Sequence, residues 1–381
     1  MTKRIAAYLL SAGVMAVASP AVAQDRLDNR TSSQTVGDTD DGSPVPDEVA
    51  GINAGDVVVT ATRRAERLSD VPLAVSAIGQ DALQNTGATD IRQLVQVTPS
   101  LLVSSTGSEA NAVARIRGIG TVGDNPGLES SVAVFIDGVY RSRTGAGLND
   151  LGEVDRIEVL RGPQGTLAGR NTSAGTINII SRVPAYRFGG YAELTYGNYD
   201  FVRAAGAVTG PIIADRLAFR IDGVASRRDG YLYDVVNREG YNDRDRYLVR
   251  GQLLFEPTDA ISFRLIGDYT YRNERCCGAV YIDTREKIDP TPGVAGDFAL
   301  SPVNRIVDVM TSLGAVFPSR GAPYNRRIAN TAGRAYANVT KDYGVSGQID
   351  WELGAASLTS ITAYREYQSG GASDIDFGNL D

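Results

Sequence analysis

Gly118-Ile119-Gly120-Thr121-Val122-Gly123 spells G-x-G-x-x-G, the spacing with which a glycine-rich turn lets backbone N–H groups hold a pyrophosphate. That chemistry needs a helix to open directly afterwards. Asp124-Asn125-Pro126-Gly127 is a turn instead, so the stretch reads as a decoy. The rest of the reactive inventory is thin. The chain has no histidine, which removes the commonest general base and any Cys/His zinc site. It has no G-x-S-x-G elbow and no clustered carboxylates at a defined spacing. Asp38-Thr39-Asp40-Asp41-Gly42 lacks the ligand spacing of a calcium loop and reads as a solvated run. The two cysteines, Cys276 and Cys277, are adjacent. They could bridge each other, stay reduced or pair between chains, with a structural or incidental role favoured over redox chemistry. No catalytic residue, metal site or cofactor is expected, and the chain does not read as an enzyme.

The elements around these residues point to export. Lys3 and Arg4 precede an apolar run from Ile5 to Val17, then Ala21-Val22-Ala23, which makes residues 1–23 a secretory signal peptide. Residues 24–55 are rich in Asp, Ser, Thr, Gly and Pro and cannot bury enough surface to offset ordering, so they read as a disordered tether. Over the 381 residues the formal charge is −7, which argues against a nucleic-acid partner. No stretch is long and apolar enough to cross a bilayer as a helix. Asp56-Val57-Val58-Val59-Thr60-Ala61 has strong β preference. Two readings stay open for it on physics alone: a strand that adds to a partner's exposed sheet edge, or the first strand of the domain that follows.

From about Val71 to Pro184 the composition is that of a small α+β domain. Short helices are expected at Asp81–Leu83 and Thr89–Val95, the second capped by Thr89 or Asp90. Strands are expected at Ala112–Ile116, Val132–Ile136, Arg156–Leu160 and Thr176–Ser181, with a hairpin turn at Asp137-Gly138. Beyond Pro184, long segments alternate apolar with fully charged residues: Leu217, Phe219, Ile221; Tyr247 to Phe255; Ile261 to Tyr271; Tyr343 to Trp351. Such alternation suits a soluble sandwich or a membrane barrel with a watery lumen. Strand length, export and 18 tyrosines favour the barrel. Asn273 to Arg334 loses the alternation and reads as a long external loop.

These segments resemble, in order, the parts of a TonB-dependent outer-membrane receptor. Asp56 to Ala61 resembles a TonB box. Ala114-Arg115-Ile116-Arg117-Gly118-Ile119, Val134-Phe135-Ile136-Asp137-Gly138-Val139 and Arg156-Ile157-Glu158-Val159-Leu160-Arg161-Gly162-Pro163 look like successive plug-domain motifs, continued by Gly169-Arg170-Asn171-Thr172. The resemblance favours the partner-binding reading of Asp56, Val57, Val58, Val59, Thr60 and Ala61. It implies a TonB box at 56–64, a plug domain at 65–185, and antiparallel transmembrane β-barrel strands from 186 to 381. It implies energised uptake of a ferric siderophore or similar small chelate across the Gram-negative outer membrane. The partners are then the TonB energy-transducing complex, on the periplasmic side, and outer-membrane lipid. Arg117, Glu158, Arg161 and Arg170 match charged plug positions and are expected to serve plug structure and to pair with wall charges such as Arg220, Asp222 and Arg264. Ser108, Asn111, Thr121, Asp124 and Asn125 are candidates for ligand-facing plug loops.

The resemblance also implies a barrel of about 22 strands. The 195 residues from Arg187 to Asp381 suffice for seven or eight, so an N-terminal fragment is expected. A complete eight-stranded barrel would be filled by its own side chains and hold no plug. A passive pore or adhesin, or uptake of cobalamin, haem or an oligosaccharide, are the alternatives.

Overall fold

The computed structural model describes residues 57–105, 112–121, 127–147, 150–282, 285–287, 296, 298–300, 305–322, 324–334, 336–372 and 378–380. The expected signal peptide, tether and Asp56 lie outside these residues, as do Ser108, Asn111, Asp124 and Asn125.

The first half builds the plug from β1 (Val58–Val59), β2 (Glu66–Arg67), β3 (Ala74–Gly79), α1 (Gln80–Thr86), β4 (Leu101–Ser104), β5 (Val113–Ile116), β6 (Val132–Ile136), β7 (Val139–Arg141), α2 (Thr144–Gly147), β8 (Val154–Arg161), α3 (Gly165–Ala168) and β9 (Gly175–Ser181). Local chemistry sets the boundaries. Helix α1 stops at Gly87, whose φ of 64° only glycine adopts freely. The expected second helix is a 3₁₀ turn over Ile91–Gln96, and its cap is Asp90: Arg92 N–H donates to Asp90 Oδ1 (2.9 Å) while Asp90 N–H donates to Gln93 Oε1 (3.1 Å). Asp137 and Gly138 both have positive φ, the conformation of a two-residue hairpin loop between β6 and β7.

The main plug sheet has the order β3-β8-β9-β6-β7, antiparallel except where β6 runs parallel to β9. Strand periodicity sorts β8 between two faces. Ile157 and Val159 enter the plug core with Ile91, Leu94, Val134 and Ile177, whereas Glu158 and Leu160 point to the opposite face. Ile179 joins the same core, and Ile136 packs at its margin.

The second half contains β10 (Gly189–Gly197), β11 (Phe201–Ile213), β12 (Leu217–Arg228), β13 (Leu232–Asp234), β14 (Glu239–Tyr241), β15 (Arg244–Thr258), β16 (Ile261–Glu274), β17 (Arg285–Lys287), β18 (Phe298–Leu300), α4 (Arg305–Ser312), β19 (Arg327–Ile328), β20 (Asn338–Glu352) and β21 (Ser357–Gly370). Seven of these form one antiparallel sheet, β10-β11-β12-β15-β16-β20-β21. At one end of this wall the connections are short; at the other run the long connections 229–243 and 275–337. The stretch expected as a long loop from Asn273 to Arg334 connects β16, which continues to Glu274, with β20, and its described residues include the short elements β17, β18, α4 and β19. Strand β19 joins β13 and β14 in a three-stranded module packed around Leu232, Tyr241, Ile328 and Tyr336.

Burial decides between sandwich and barrel. The apolar side of the wall is the exposed one, with Val249 at 51% and Leu265 at 49%, while Arg220 and Asp222 on the charged side are 4% and 1% exposed. That inversion suits a wall with lipid outside and a plug inside. Outward tyrosines stack across strands, Tyr247 on Tyr271 (5.1 Å) and Tyr269 on Tyr343 (6.0 Å between centroids), as in an interfacial aromatic band. No helix among the described residues is long and apolar enough to cross a membrane.

Candidate functional site

Charged side chains taken out of water persist when they are paired, and the wall's inward charges find partners both within the wall, as Arg246 with Glu274 and Arg365 with Asp342, and on the plug. Arg220 Nε donates to Glu153 Oε2 at 2.8 Å, both side chains nearly inaccessible. Arg250 binds Asp222 of the neighbouring strand through Nε (2.9 Å) and the Glu153 carbonyl through Nη2 (2.8 Å). Arg246 lies 3.5 Å from Asp90 and 3.4 Å from Asp150. Arg264 donates to Ser181 Oγ (2.7 Å) and reaches Asp137 at 3.4 Å. In the reverse sense, plug Arg141 sits 3.5 Å from wall residues Asp268 and Asp342. Backbone room is part of the fit: a Cβ at Gly152 would come within 2.6 Å of Asp222 Oδ2 and 3.0 Å of Arg250 Nη2. Burial raises the Asp137 carboxyl, but Arg264 and Arg250, helped by the Ser181 N–H, outweigh it and hold it below the usual carboxylate range. Asp90 is lowered in the same way, Arg92 and Arg246 overcoming its burial.

A cavity of about 40 Å³ remains along this seam, lined by Asp137, Arg141, Asp150, Arg250, Asp268 and Asp342 among others. Ligand pockets run from about 300 Å³ upward, so this cavity is too small to hold a drug-sized ligand. Replacing Glu153 by alanine would leave the Arg220 guanidinium buried without its carboxylate. The expected cost is about 3–5 kcal/mol, read from urea unfolding followed by a probe on the plug; a cost below about 1 kcal/mol would mean that water already reaches the pair.

The second feature lies on the opposite face of β8. Strand β1 pairs antiparallel with β2, Val58 opposite Arg67 and Val59 opposite Glu66. Val59 and Ala61 are buried with Val71 and Leu160 in a small apolar cluster, and the Arg63 guanidinium stands 4.9 Å over the Phe135 ring. The polar centre of this contact is Glu158, which is 0% exposed. Its carboxylate accepts from Thr60 N–H (2.8 Å), Thr60 Oγ1 (3.2 Å), Arg156 Nε (2.9 Å) and Asn178 Nδ2 (3.4 Å). Residues 57–63 are therefore docked as a first short strand on the plug, and one backbone donor of that segment is held by a buried carboxylate.

The expected pairing of the plug-motif charges with the wall is corrected here. Arg220, Asp222 and Arg264 are occupied by Glu153, Arg250 and the Ser181–Asp137 pair. Glu158 holds the docked segment instead. Arg161 donates to the Ala74 carbonyl (3.3 Å), Arg170 pairs with Glu129 (3.1 Å), and Arg117 sits in a turn at φ 53° with its N–H on Ser100 O. The physical reason is topological. Alternate residues of β8 face the two sides of the plug sheet, whereas the wall is met by turns and strand ends, where Asp90, Asp137, Asp150 and Glu153 lie. Of the loop candidates, Thr121 is described; its Oγ1 donates to Glu129 O (3.1 Å) and accepts from Ser131 N–H (2.9 Å), bracing the loop base.

Comparison with known proteins agrees with this architecture. The family model described as the TonB-dependent Receptor Plug Domain matches residues 67–176. The pesticin receptor of Yersinia pestis is 30% identical over 159 residues, 41% of this chain and 23% of that protein. The ferrioxamine B receptor of Salmonella typhimurium is 29% identical over 218 residues, 56% of this chain and 29% of that protein. The chain thus spans between a fifth and a third of the length of these relatives. Among solved structures, the ferric yersiniabactin uptake receptor of Yersinia pestis superimposes with a TM-score of 0.64 at 17% identity, covering 79% of this chain and 42% of that one. The ferripyoverdine receptor of Pseudomonas aeruginosa gives 0.58 at 18% identity, covering 82% and 37%. Residues 67–176 are thus a plug domain of the TonB-dependent receptor type, and the chain as a whole shares the fold of the solved receptors it superimposes on.

Proposed function

We propose that the protein acts in the energised uptake of a ferric siderophore or similar iron chelate across the Gram-negative outer membrane. The observation that carries this reading is the seam, in which buried ion pairs tie the plug to the lipid-facing wall; a plug held in this way inside a completed barrel has to be worked on before a ligand passes. The relatives named above for ferrioxamine B and ferripyoverdine support the ligand class. In this reading the long connections face outward, the short turns face the periplasm, and residues 56–61 are the TonB box. A short strand that turns its Val58 N–H and carbonyl away from β2, toward the edge where a further strand could add, supports TonB as the partner at that position.

The test is growth of a deletion strain on defined iron, cobalamin, haem and glycan sources. Loss of growth on one ferric chelate, restored by the gene, is the expected result. A defect confined to cobalamin, haem or a glycan would replace the ligand class and keep the mechanism. Growth unaffected on every source would favour a passive pore or adhesin.

A further inference from the structure

Cys276 and Cys277 are disulfide-bonded to each other. They lie where β16 leaves the wall, after Glu274, and enters the module of β13, β14 and β19. Both residues are half-buried. The chain on either side is gripped by side-chain amides. Asn242 Oδ1 accepts from Gly278 N–H (2.9 Å), and Asn242 Nδ2 donates to Gly278 O (3.2 Å). The Asn242 N–H donates to Arg275 O (2.7 Å), and Asn338 Nδ2 donates to Cys276 O (2.7 Å). Gly278 packs so closely on the module core that a Cβ there would fall 2.9 Å from Ile328 Cδ1 and 3.5 Å from both Leu232 Cδ1 and Tyr241 Cβ.

A bridge between neighbouring residues closes almost no loop, so it adds little to global stability through chain entropy. Its effect must be local. The covalent ring fixes the direction in which Cys276 O, Gly278 N–H and Gly278 O are presented, and Asn242 and Asn338 read those groups. We propose that the vicinal disulfide is a thiol-sensitive clasp that sets the order of this module without contributing to the plug or the wall. A low-molecular-weight thiol is the reductant. Its thiolate attacks one Sγ, the other Sγ leaves as a thiolate, and a second thiol resolves the mixed disulfide. The products are two protein thiols and one oxidised thiol dimer. Without the ring the 276–277 peptide gains conformers that cannot satisfy Asn242 and Asn338 together, and the module loosens.

The experiment compares the detergent-purified protein before and after treatment with glutathione, by thiol labelling under denaturing conditions and by backbone hydrogen exchange. The expected result is no labelled thiol before and two after. Exchange should rise at least tenfold in 229–243, 275–282 and 327–338 and stay unchanged in β8 and β12. The double variant C276S/C277S should exchange like the reduced protein even without glutathione. Two thiols appearing with no change in exchange would overturn the proposal. So would loosening that spreads to β8 and β12, free thiols before treatment, resistance to reduction, or a disulfide-linked dimer on a non-reducing gel. Because no readout uses ligand or TonB, a negative outcome here leaves the uptake reading untouched.

Discussion

Proline at position 58 is expected to abolish energised uptake by the intact receptor while leaving ligand binding at the cell surface unchanged. The direction follows from the docked strand. The Val57 carbonyl accepts from Leu68 N–H (2.8 Å), so it faces β2. Backbone groups alternate along a strand, which turns the Val58 N–H and carbonyl to the other edge, the same edge on which Thr60 N–H meets Glu158. An incoming strand would bond along that edge. Val58→Pro deletes one of its few donors and orphans the partner's acceptor, a loss of about 1–3 kcal/mol, or roughly five- to a hundred-and-fiftyfold in pairing. Val58→Ala keeps the donor and should transport nearly normally. Labelled-chelate uptake and surface binding, measured side by side, separate the outcomes. Undiminished uptake in the proline variant would count for a passive pore.

How far this molecule was legible in its sequence differs between elements for physical reasons. The four wall strands with strong alternation, β12, β15, β16 and β20, carry a full charge every few residues on the inner face and large apolar residues outside, so periodicity alone exposes them. Strand β11 hides because Ala204, Ala205, Gly206 and Ala207 leave no contrast between faces. Strand β21 hides because Ser, Thr and Tyr serve on either side. Turn chemistry was readable where it is local: Asp137-Gly138 is the β6–β7 hairpin, and Asp90 is the cap of its 3₁₀ turn. Contacts across the seam were not readable. Glu153 and Asp150 sit in a connection with no periodicity, and nothing within a few residues of them reveals that Arg220 and Arg246, some 70 to 100 positions on, stand opposite. The same holds for Glu158: its motif is conspicuous in the sequence, but its partner Thr60, 98 residues earlier, is found only through the fold.

Neighbouring substitutions on β8 should therefore have very different consequences. Val159 is fully buried, paired with Ser76 and Ile177 of the flanking strands and packed in the plug core. Val159→Asp places a carboxylate there with no counter-charge among the core residues. The cost should exceed about 4–5 kcal/mol, against a total stability of about 5–15 kcal/mol for a domain of ordinary stability. The plug is expected to lose its cooperative transition, and the protein to be degraded in cells. Glu158 is as deeply buried, yet its bonds run to Thr60, Arg156 and Asn178 on the other face. Glu158→Ala should cost about 1–3 kcal/mol and leave the core packed. What it should change is the docked segment, whose Thr60 N–H loses its acceptor, so that proteolysis within 57–64 accelerates while the plug still melts cooperatively. Limited proteolysis and thermal circular dichroism on both variants read the two effects separately. A cooperative plug in Val159→Asp would refute the assignment of that face to the core. Unchanged cleavage of 57–64 in Glu158→Ala would show that the apolar cluster around Val59 holds the strand without the carboxylate, which would leave an incoming partner strand only Val59 and Ala61 to lift from the plug.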